Sequence, residues 1–533
     1  MGSGVESGWA FSLALATKCK ATDPYRLLLL TTVVLLCYLV TSLLHWTFPG
    51  GQAWGRLYFW RNKKNQSTWI PGPRGFPIIG SMNLMLGLAH HHLAKKAEAL
   101  GASRLMAFSL GYTRVIVTSS PEVAKEILNH SAFADRPIKE SAYGLLFHRA
   151  IGFAPYGAYW STLRRIAANH LFSPKQISSS GHHRAAIAAS MVETLGFDSG
   201  REVRVRDVLK RASLNNVMAS VFGRWYELGI ECEEVKELRS LVDEGYDLLG
   251  KLNWSDHLPF LVGFDLQGIR FRCSNLVPRV NRFVNRIIDE HRIRPVNTPA
   301  SDFVDVLLSL QGTDRLSDPD MVAVLWEMIF RGTDTVAVLI EWVLARLVMH
   351  KDVQERVHEE LDRVVGRDRA VTESDTGSLV YLNAVIKEVL RLHPPGPLLS
   401  WARLATRDVH VDGKLVPAGT TAMVNMWAIT HDPRVWEAPH EFRPERFVGP
   451  GGAEFPVLGS DLRLAPFGSG RRSCPGKALA LTTVSFWLAS LLHEFEWETL
   501  PGEPRVDISE VLRLSCEMAV PLTVTLCPRR RLK

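Results

Sequence analysis

The run Phe467-Gly468-Ser469-Gly470-Arg471-Arg472-Ser473-Cys474-Pro475-Gly476 restricts this chain more than any other feature. It sets one cysteine in a loop of glycines and arginines, directly ahead of an apolar, helix-like run from Ala478 to Leu492. Glycines at 468, 470 and 476 let the backbone approach a flat ligand closely. Cys474 lies just before a helix N-terminus, where the dipole and the free N–H groups stabilise a thiolate. Arg472 supplies a fixed charge for an anionic group nearby. Read this way, the loop delivers a thiolate to a cation. The other reading of a lone cysteine is a buried, inert thiol.

The rest of the chain can support such a loop. Its 533 residues, 46% apolar and 22% charged, form a globular body with a large core and no need of disulfides. Lys and Arg exceed Asp and Glu by 62 − 55 = 7, spread along the chain and densest at Arg529, Arg530, Arg531 and Lys533. That is too diffuse for a nucleic-acid partner. Seven scattered cysteines without a C-x-x-C pair argue against structural zinc and a disulfide scaffold, and fit a reducing compartment.

Leu27 to Trp46 carries no Asp, Glu, Lys or Arg, and as a helix spans ~30 Å, the thickness of the hydrocarbon layer. A cleaved signal peptide and a buried helix are the alternatives. A signal peptide has a shorter apolar stretch and a small-residue cleavage site, and His45, Trp46, Phe48 and Pro49 offer none. The reading is a retained anchor. Arg56, Arg61, Lys63 and Lys64 after it slightly outnumber Lys18, Lys20 and Arg26 before it, which leaves the body cytosolic and the N-terminus luminal. The expected organisation is a luminal segment 1–26, an anchor 27–46, a linker 47–77 and a catalytic body 78–533. Three prolines in Trp69–Pro77 predict a stiff, extended stalk.

The body reads as mainly α with a small β region. Leu105–Leu110 and Arg114–Thr118 predict a hairpin, as do Val409–Val411 and Lys414 onward about Asp412-Gly413. Ser120-Pro121-Glu122 predicts a helix start, and Asp318-Pro319 another whose pattern runs unbroken to about His350. Asp352–Val365 and Val380–Leu392 predict amphipathic helices, ended by Gly366 and Pro394-Pro395.

Several chemistries are struck out. Gly476-Lys477-Ala478 ends like a P-loop, but position 471 is Arg and Ala478 cannot ligate magnesium. Gly468-Ser469-Gly470 is not a nucleophile elbow. His90-His91-His92 are adjacent, so they point three ways around a helix and are not expected to share a metal.

With these residues in hand, the sequence resembles the cytochrome P-450 family of haem-thiolate monooxygenases over about residues 70–533. The cysteine loop matches the signature F-x-x-G-x-R-x-C-x-G at every fixed position. Glu388 and Arg391 match E-x-x-R, Pro444-Glu445-Arg446-Phe447 matches P-E-R-F, and Trp160 and Arg164 match W-x-x-x-R. Gly332-Thr333-Asp334-Thr335 matches most of the oxygen-binding A/G-G-x-D/E-T element. The anchor and proline segment resemble the microsomal class at the endoplasmic reticulum. The overall pattern looks like a plant A-type enzyme of the subfamily linked to organ growth and fatty-acid hydroxylation.

The resemblance implies haem b with Cys474 as the axial thiolate, which pushes electron density onto iron. Phe467 and Gly476 belong to the same cradle. It implies that Arg472, Trp160, Arg164 and Arg403 hold haem propionates; the plainer reading of Trp160 and Arg164 is a surface cation–π pair. It implies a buried structural network of Glu388, Arg391 and Arg446, where a lone E-x-x-R would be an ordinary helix salt bridge. Asp334 and Thr335 become the proton-delivery pair; a helix threonine that bonds back to its own turn is the alternative. Gly332 is expected to loosen the helix and make room for O2.

Two positions depart from the family pattern. Val336 stands where Ser or Thr is common. Arg331 stands where Ala or Gly is usual, beside the distal pocket, where a cation needs an anion. Glu327, one turn earlier, would supply it; the alternative is a substrate contact through a carboxylate or carbonyl. The implied reaction is hydroxylation of a small, largely apolar molecule with O2 and electrons from a membrane-bound NADPH-dependent cytochrome P-450 reductase, since the chain has no flavin or nicotinamide motif. Arg471 and Lys477 would lie on the face that meets it. A haem-thiolate isomerase or dehydratase, and a non-catalytic haem sensor, are the competing readings, and Asp334-Thr335 argues against both. The pocket wall is expected from Phe133 to Phe153, Leu398 to Ser400, and Ser515 to Ala519.

Overall fold

The computed structural model describes residues 24–61, 69–197, 200–230, 232–294, 302–399, 402–449, 455–459, 461–502 and 505–529. Helices dominate. Met106–Leu110, Thr113–Thr118, Thr421–Val424 and Arg403–Leu404 lie side by side in that order, and within this sheet only the Thr113–Thr118 and Thr421–Val424 pair is parallel. Glu202–Arg204, Thr523–Pro528 and Phe495–Glu498 make an antiparallel three-stranded sheet, and two short hairpins are also present among the described residues. Both expected hairpins are present. Asp412 and Gly413 take φ of 49° and 70°, the two left-handed positions that a two-residue hairpin turn needs.

The local signals act as chemistry requires. Ser120 Oγ accepts the Val123 amide at 3.5 Å and opens helix Pro121–Asn129. Helix Val380–Leu392 has the expected bounds, and helix Lys351–Val364 precedes Gly366, whose φ is +80°. The long helix differs from expectation. Ser317, not Asp318, caps it, and it is divided into Asp318–Thr333 and Thr335–Met349 with Asp334 between. The Phe330 carbonyl, which a continuous helix offers to the Asp334 amide, accepts the Tyr246 hydroxyl at 2.7 Å. A side chain reaching into the ladder is a recognised cause of a helix break.

Each half of the divided helix anchors one core cluster. Thr335–Met349 packs with Val380–Leu392 and Lys477–Glu494 around Trp342 and Trp487, both buried. Asp318–Thr333 packs with Val205–Phe222, Glu233–Gly250 and Ile269–Arg292. The break therefore lies at the seam between the two clusters.

Helix Pro24–Trp46, 23 residues with none buried, is long and apolar enough to cross a membrane, and starts three residues before the expected Leu27. The linker behaves otherwise than expected. Helix Gln52–Arg61 buries Trp54, whose indole N–H donates to the Phe108 carbonyl at 3.1 Å. In the proline segment Ile70 is buried, and the Pro71 carbonyl accepts the Ala107 amide at 2.9 Å. A Cβ on Gly72 would lie 1.7 Å from the Ala107 carbonyl oxygen, so only glycine permits this contact. The segment is laid against the sheet edge and is not a free stalk. Expectations for residues 1–23, Lys63, Lys64, Ser400 and the tail from Arg530 lie outside the described residues.

Candidate functional site

The cysteine loop folds on itself before helix Lys477–Glu494. The Cys474 amide donates to the Phe467 carbonyl at 3.0 Å, and the Ser473 amide to the Gly470 carbonyl at 3.1 Å. Gly468 and Gly470 both take φ of 69°, the left-handed region that favours glycine. Their surroundings differ. A Cβ on Gly470 would sit 2.1 Å from the Leu128 carbonyl oxygen, and one on Gly476 3.1 Å from the Phe172 ring, so neighbouring protein explains these two glycines. At Gly468 the nearest atom would be Leu399 Cδ1 at 4.0 Å, so this glycine alone faces open space.

Burial pushes the Cys474 thiol up, against the pull of the Gly476 amide and the charges of Arg331, Arg164 and Lys477. The sulfur is thus set to become a thiolate only with a cation against it.

Around this loop the fold gathers arginines from four parts of the chain. Arg472 spends its N–H groups on protein, donating to the carbonyls of Ala134, Ile151 and Ala154 at 2.9, 3.2 and 2.7 Å. Its guanidinium lies 4.4 Å from the Trp160 ring centroid, and the Trp160 indole donates to the same Ile151 carbonyl at 3.0 Å. Arg164, one turn on, donates to the Ser473 carbonyl at 3.0 Å. Trp160 and Arg164 therefore brace the loop and are not a surface pair. Arg403 donates to the Ser469 carbonyl at 3.4 Å, and its buried Nε has no hydrogen-bond partner among the described residues. Arg136, which the sequence reading passed over, donates to the carbonyls of Gly152 and Ala402.

Burial lowers all four cations, and repulsion between arginines adds to it at Arg136, Arg403 and Arg472. Arg403 is pushed down to about 9 by burial, with Arg472 and Arg164 adding to it. Arg472 is pushed down to about 10 by burial, partly offset by Asp135. Arg164 is lowered by burial, and Arg136 by burial together with Arg403, Arg472 and Arg331. Asp135, 3.8 Å from Arg472, and Glu327 are the acids that oppose them. A soft sulfur donor beside a buried excess of guanidinium fits an iron porphyrin with two carboxylates: sulfur for the metal, arginines for the anions.

From the divided helix, Arg331 comes near enough for its charge to act on Cys474. Thr335 is exposed, and among the described residues its hydroxyl makes no hydrogen bond; the threonine that bonds back is Thr333, to the Ile329 carbonyl at 2.6 Å. Asp334 is buried and pairs with Lys210 at 2.9 Å, and Lys210 is itself 3.7 Å from Glu517. Gly332, expected to loosen the helix, lies two residues before the break and also meets a neighbour. A Cβ there would lie 2.3 Å from Val217 Cγ2, so the glycine admits helix Val205–Phe222. Arg331 pairs internally with Glu327 at 3.2 Å. Lys210 and Tyr246 carried no sequence signal, since each acts across helices.

Glu388 and Arg391 form a fully buried bidentate pair, both contacts 2.8 Å. Arg391 also donates to the carbonyls of Thr430, Pro439 and Glu441, and Arg446 approaches Glu388 at 3.4 Å. The chain thereby locks helix Val380–Leu392 to the segment 430–447. The three histidines do not point three ways: His90 and His91 both turn to Glu510, with ring centroids 4.3 Å apart.

The family model for cytochrome P450 matches residues 70–519. Cytochrome P450 78A9 of Arabidopsis thaliana is 66% identical over 522 residues, 97% of each chain. Cytochrome P450 78A3 of Glycine max is 61% identical over 520 residues, 97% of this chain and 98% of its own. Flavonoid 3'-monooxygenase of Arabidopsis thaliana is 36% identical over 482 residues, 88% of this chain and 93% of its own. The family uses haem with an axial cysteine thiolate, a reductase as electron source, and O2. On the cysteine loop, its arginine setting and these matches, the chain belongs to the cytochrome P450 family of monooxygenases, plant A-type, subfamily 78A.

Proposed function

We propose that this chain is a membrane-anchored monooxygenase that hydroxylates a small, largely apolar molecule, of the fatty-acid or growth-signal-precursor class, at the endoplasmic reticulum with its body in the cytosol. The observation that supports this reading is Cys474, buried in its glycine loop among Arg472, Arg403 and Arg164, with Arg331 of the divided helix close enough for its charge to act on the sulfur.

Bound haem supplies the iron at which O2 is reduced and one oxygen atom is passed to substrate. The chain's own residues do the rest. Cys474 would hold the iron through its thiolate. Arg403, with an unused buried Nε, would take a propionate, and Arg164 and Arg136 would add charge beside it. Arg472 and Trp160 hold the loop in place through backbone carbonyls. Thr335 would offer its exposed hydroxyl as the proton donor to oxygen. Asp334 returns the proton that Thr335 gives up, and Lys210, one-third exposed, connects Asp334 to solvent. Glu388, Arg391 and Arg446 keep the ground under the loop rigid. Arg331 serves as the partner of buried Glu327 and not as a substrate anchor.

Exposed Phe76, Ile78, Ile79, Phe260, Phe264 and Leu266 support the membrane reading. They belong to segments tied by the bonds from Gly111 to Ile79 and from Tyr112 to His257, both 2.9 Å. Beside the anchor they form a surface that dips into the interface. Arg471 and Lys477 give the reductase a basic face to meet.

The test is product analysis of NADPH-dependent turnover, with reductase supplied, on a panel of fatty acids, terpenoids and phenolics. A hydroxylated product that needs both NADPH and O2 is expected. Turnover without either would point to an isomerase or dehydratase, and none at all across the panel to a carrier or sensor.

A further inference from the structure

One buried cluster lies outside the cysteine loop and the proton path. Helix Ala89–Ala99 opens with His90 and His91, and the C-terminal hairpin strand Glu510–Leu512 brings Glu510 against them. His90 is fully buried, and among the described residues neither of its ring nitrogens has a hydrogen-bond partner. Its Nε2 lies 3.6 Å from Glu510 Oε2, and His91 Nε2 lies 3.7 Å from the same oxygen. These separations are too long for hydrogen bonds. They are close to the ligand–ligand edge of about 3.4 Å around a tetrahedral zinc with bonds of about 2.1 Å.

The surroundings fix the donors. His393 Nδ1 lies 2.8 Å from Glu510 Oε1, while His393 Nε2 accepts from Arg346 at 3.1 and 2.7 Å. His393 therefore donates to Glu510 from Nδ1 and leaves Oε2 facing the histidine pair. A ligand carboxylate held by an outer hydrogen bond is the usual support of a metal site. The Trp427 ring packs 4.1 Å from the His91 ring and 5.5 Å from that of His90. His91 keeps 38% of its side chain exposed, while its Nε2, like Glu510 Oε2, is buried.

We propose that His90, His91 and Glu510 bind one divalent transition-metal ion of the zinc class, with water at the fourth position. Two imidazoles and a carboxylate suit zinc over calcium or magnesium, which prefer oxygen shells. The ion clamps hairpin Glu510–Met518 to helix Ala89–Ala99.

The experiment uses full-length holoenzyme in detergent, treated with a chelator that leaves haem iron in place. Zinc chloride is added, excess is removed, and retained zinc per haem is counted by mass spectrometry. One zinc per haem is expected in the parent, and at least tenfold less in His91→Ala and Glu510→Gln that keep the thiolate–haem spectrum. If Glu510→Gln fails to take up haem, His91→Ala carries the comparison, because His91 is partly exposed. Parent protein that retains no zinc overturns the proposal. So does zinc retained equally by His91→Ala, or sulfur in the zinc shell by X-ray absorption.

Discussion

Arg331 and Glu327 form an ion pair at 3.2 Å, one helical turn apart, and the same buried carboxylate takes the Gly152 amide at 2.8 Å. Burial pushes the Glu327 carboxyl up, while Arg331 and the backbone of Gly152 and Ile151 pull it down. A Cβ on Gly152 would fall 2.3 Å from both Arg331 Nη2 and Glu327 Oε1, so the pair closes over a glycine. An arginine where the family usually carries a small residue is thus answered within its own helix.

Arg331→Ala leaves Glu327 buried without its cation, and destabilises the holoenzyme by about 1–3 kcal/mol. The double variant Glu327→Gln, Arg331→Ala recovers part of that loss. Thermal loss of the thiolate–haem spectrum measures both. Substrate-induced spectral shifts of the surviving Arg331→Ala protein are expected to match the parent; a large loss of affinity would instead make Arg331 a substrate anchor.

Gly332→Ala drives a methyl group into the stiff, β-branched Val217 and lowers stability by about 1–3 kcal/mol. Val217→Ala, neutral to mildly destabilising alone, restores the Gly332→Ala protein. If the double variant is no better than Gly332→Ala, the glycine serves the helix break itself and not the approach of helix Val205–Phe222.

Thr335→Ala keeps haem incorporation and the thiolate spectrum but diverts electrons to hydrogen peroxide or water. Product per NADPH consumed falls, while NADPH consumption continues. Lys210→Met slows product formation less than Thr335→Ala does, because Lys210 acts through Asp334. Unchanged coupling in Thr335→Ala removes this residue from the proton path.

His291 carries a pH-dependent share of stability. Burial opposes its charged form, but hydrogen bonds with Asp302 (3.0 Å) and the Ile287 carbonyl outweigh it and raise its pKa above 6.5. The contribution is complete below pH 6.5 and is lost as pH rises through the raised value. His291→Gln should therefore cost more stability at pH 6 than at pH 9. An equal cost at both would mean that the imidazole is neutral in the fold.

The sequence was readable where the signal is local. Ser120, the Asp412-Gly413 turn and the apolar period of Val380–Leu392 act through near neighbours, and each forms the expected element. The meeting of Cys474 and Arg472 with Trp160 and Arg164 was implied by the resemblance to the family, and not by spacing, since the two motifs lie far apart in the chain. What escaped was set by distant partners. Gly332 marks a weak point in Asp318–Met349, but a full break there comes with a hydroxyl from Tyr246 on another helix. The proline segment reads as a stalk because its burial depends on strand Met106–Leu110. Arg136 stands alone in irregular chain, and only the fold brings it to Arg403 and Arg472. The His90 and His91 rings converge because Glu510 meets them from the far end of the chain.

Iron ligation by Cys474 is the claim on which the rest stands, and the reduced carbon-monoxide difference spectrum of Cys474→Ser measures it directly. The account predicts that the band characteristic of a thiolate ligand, present in the parent, is absent from the variant. Retention of that band in Cys474→Ser would contradict it.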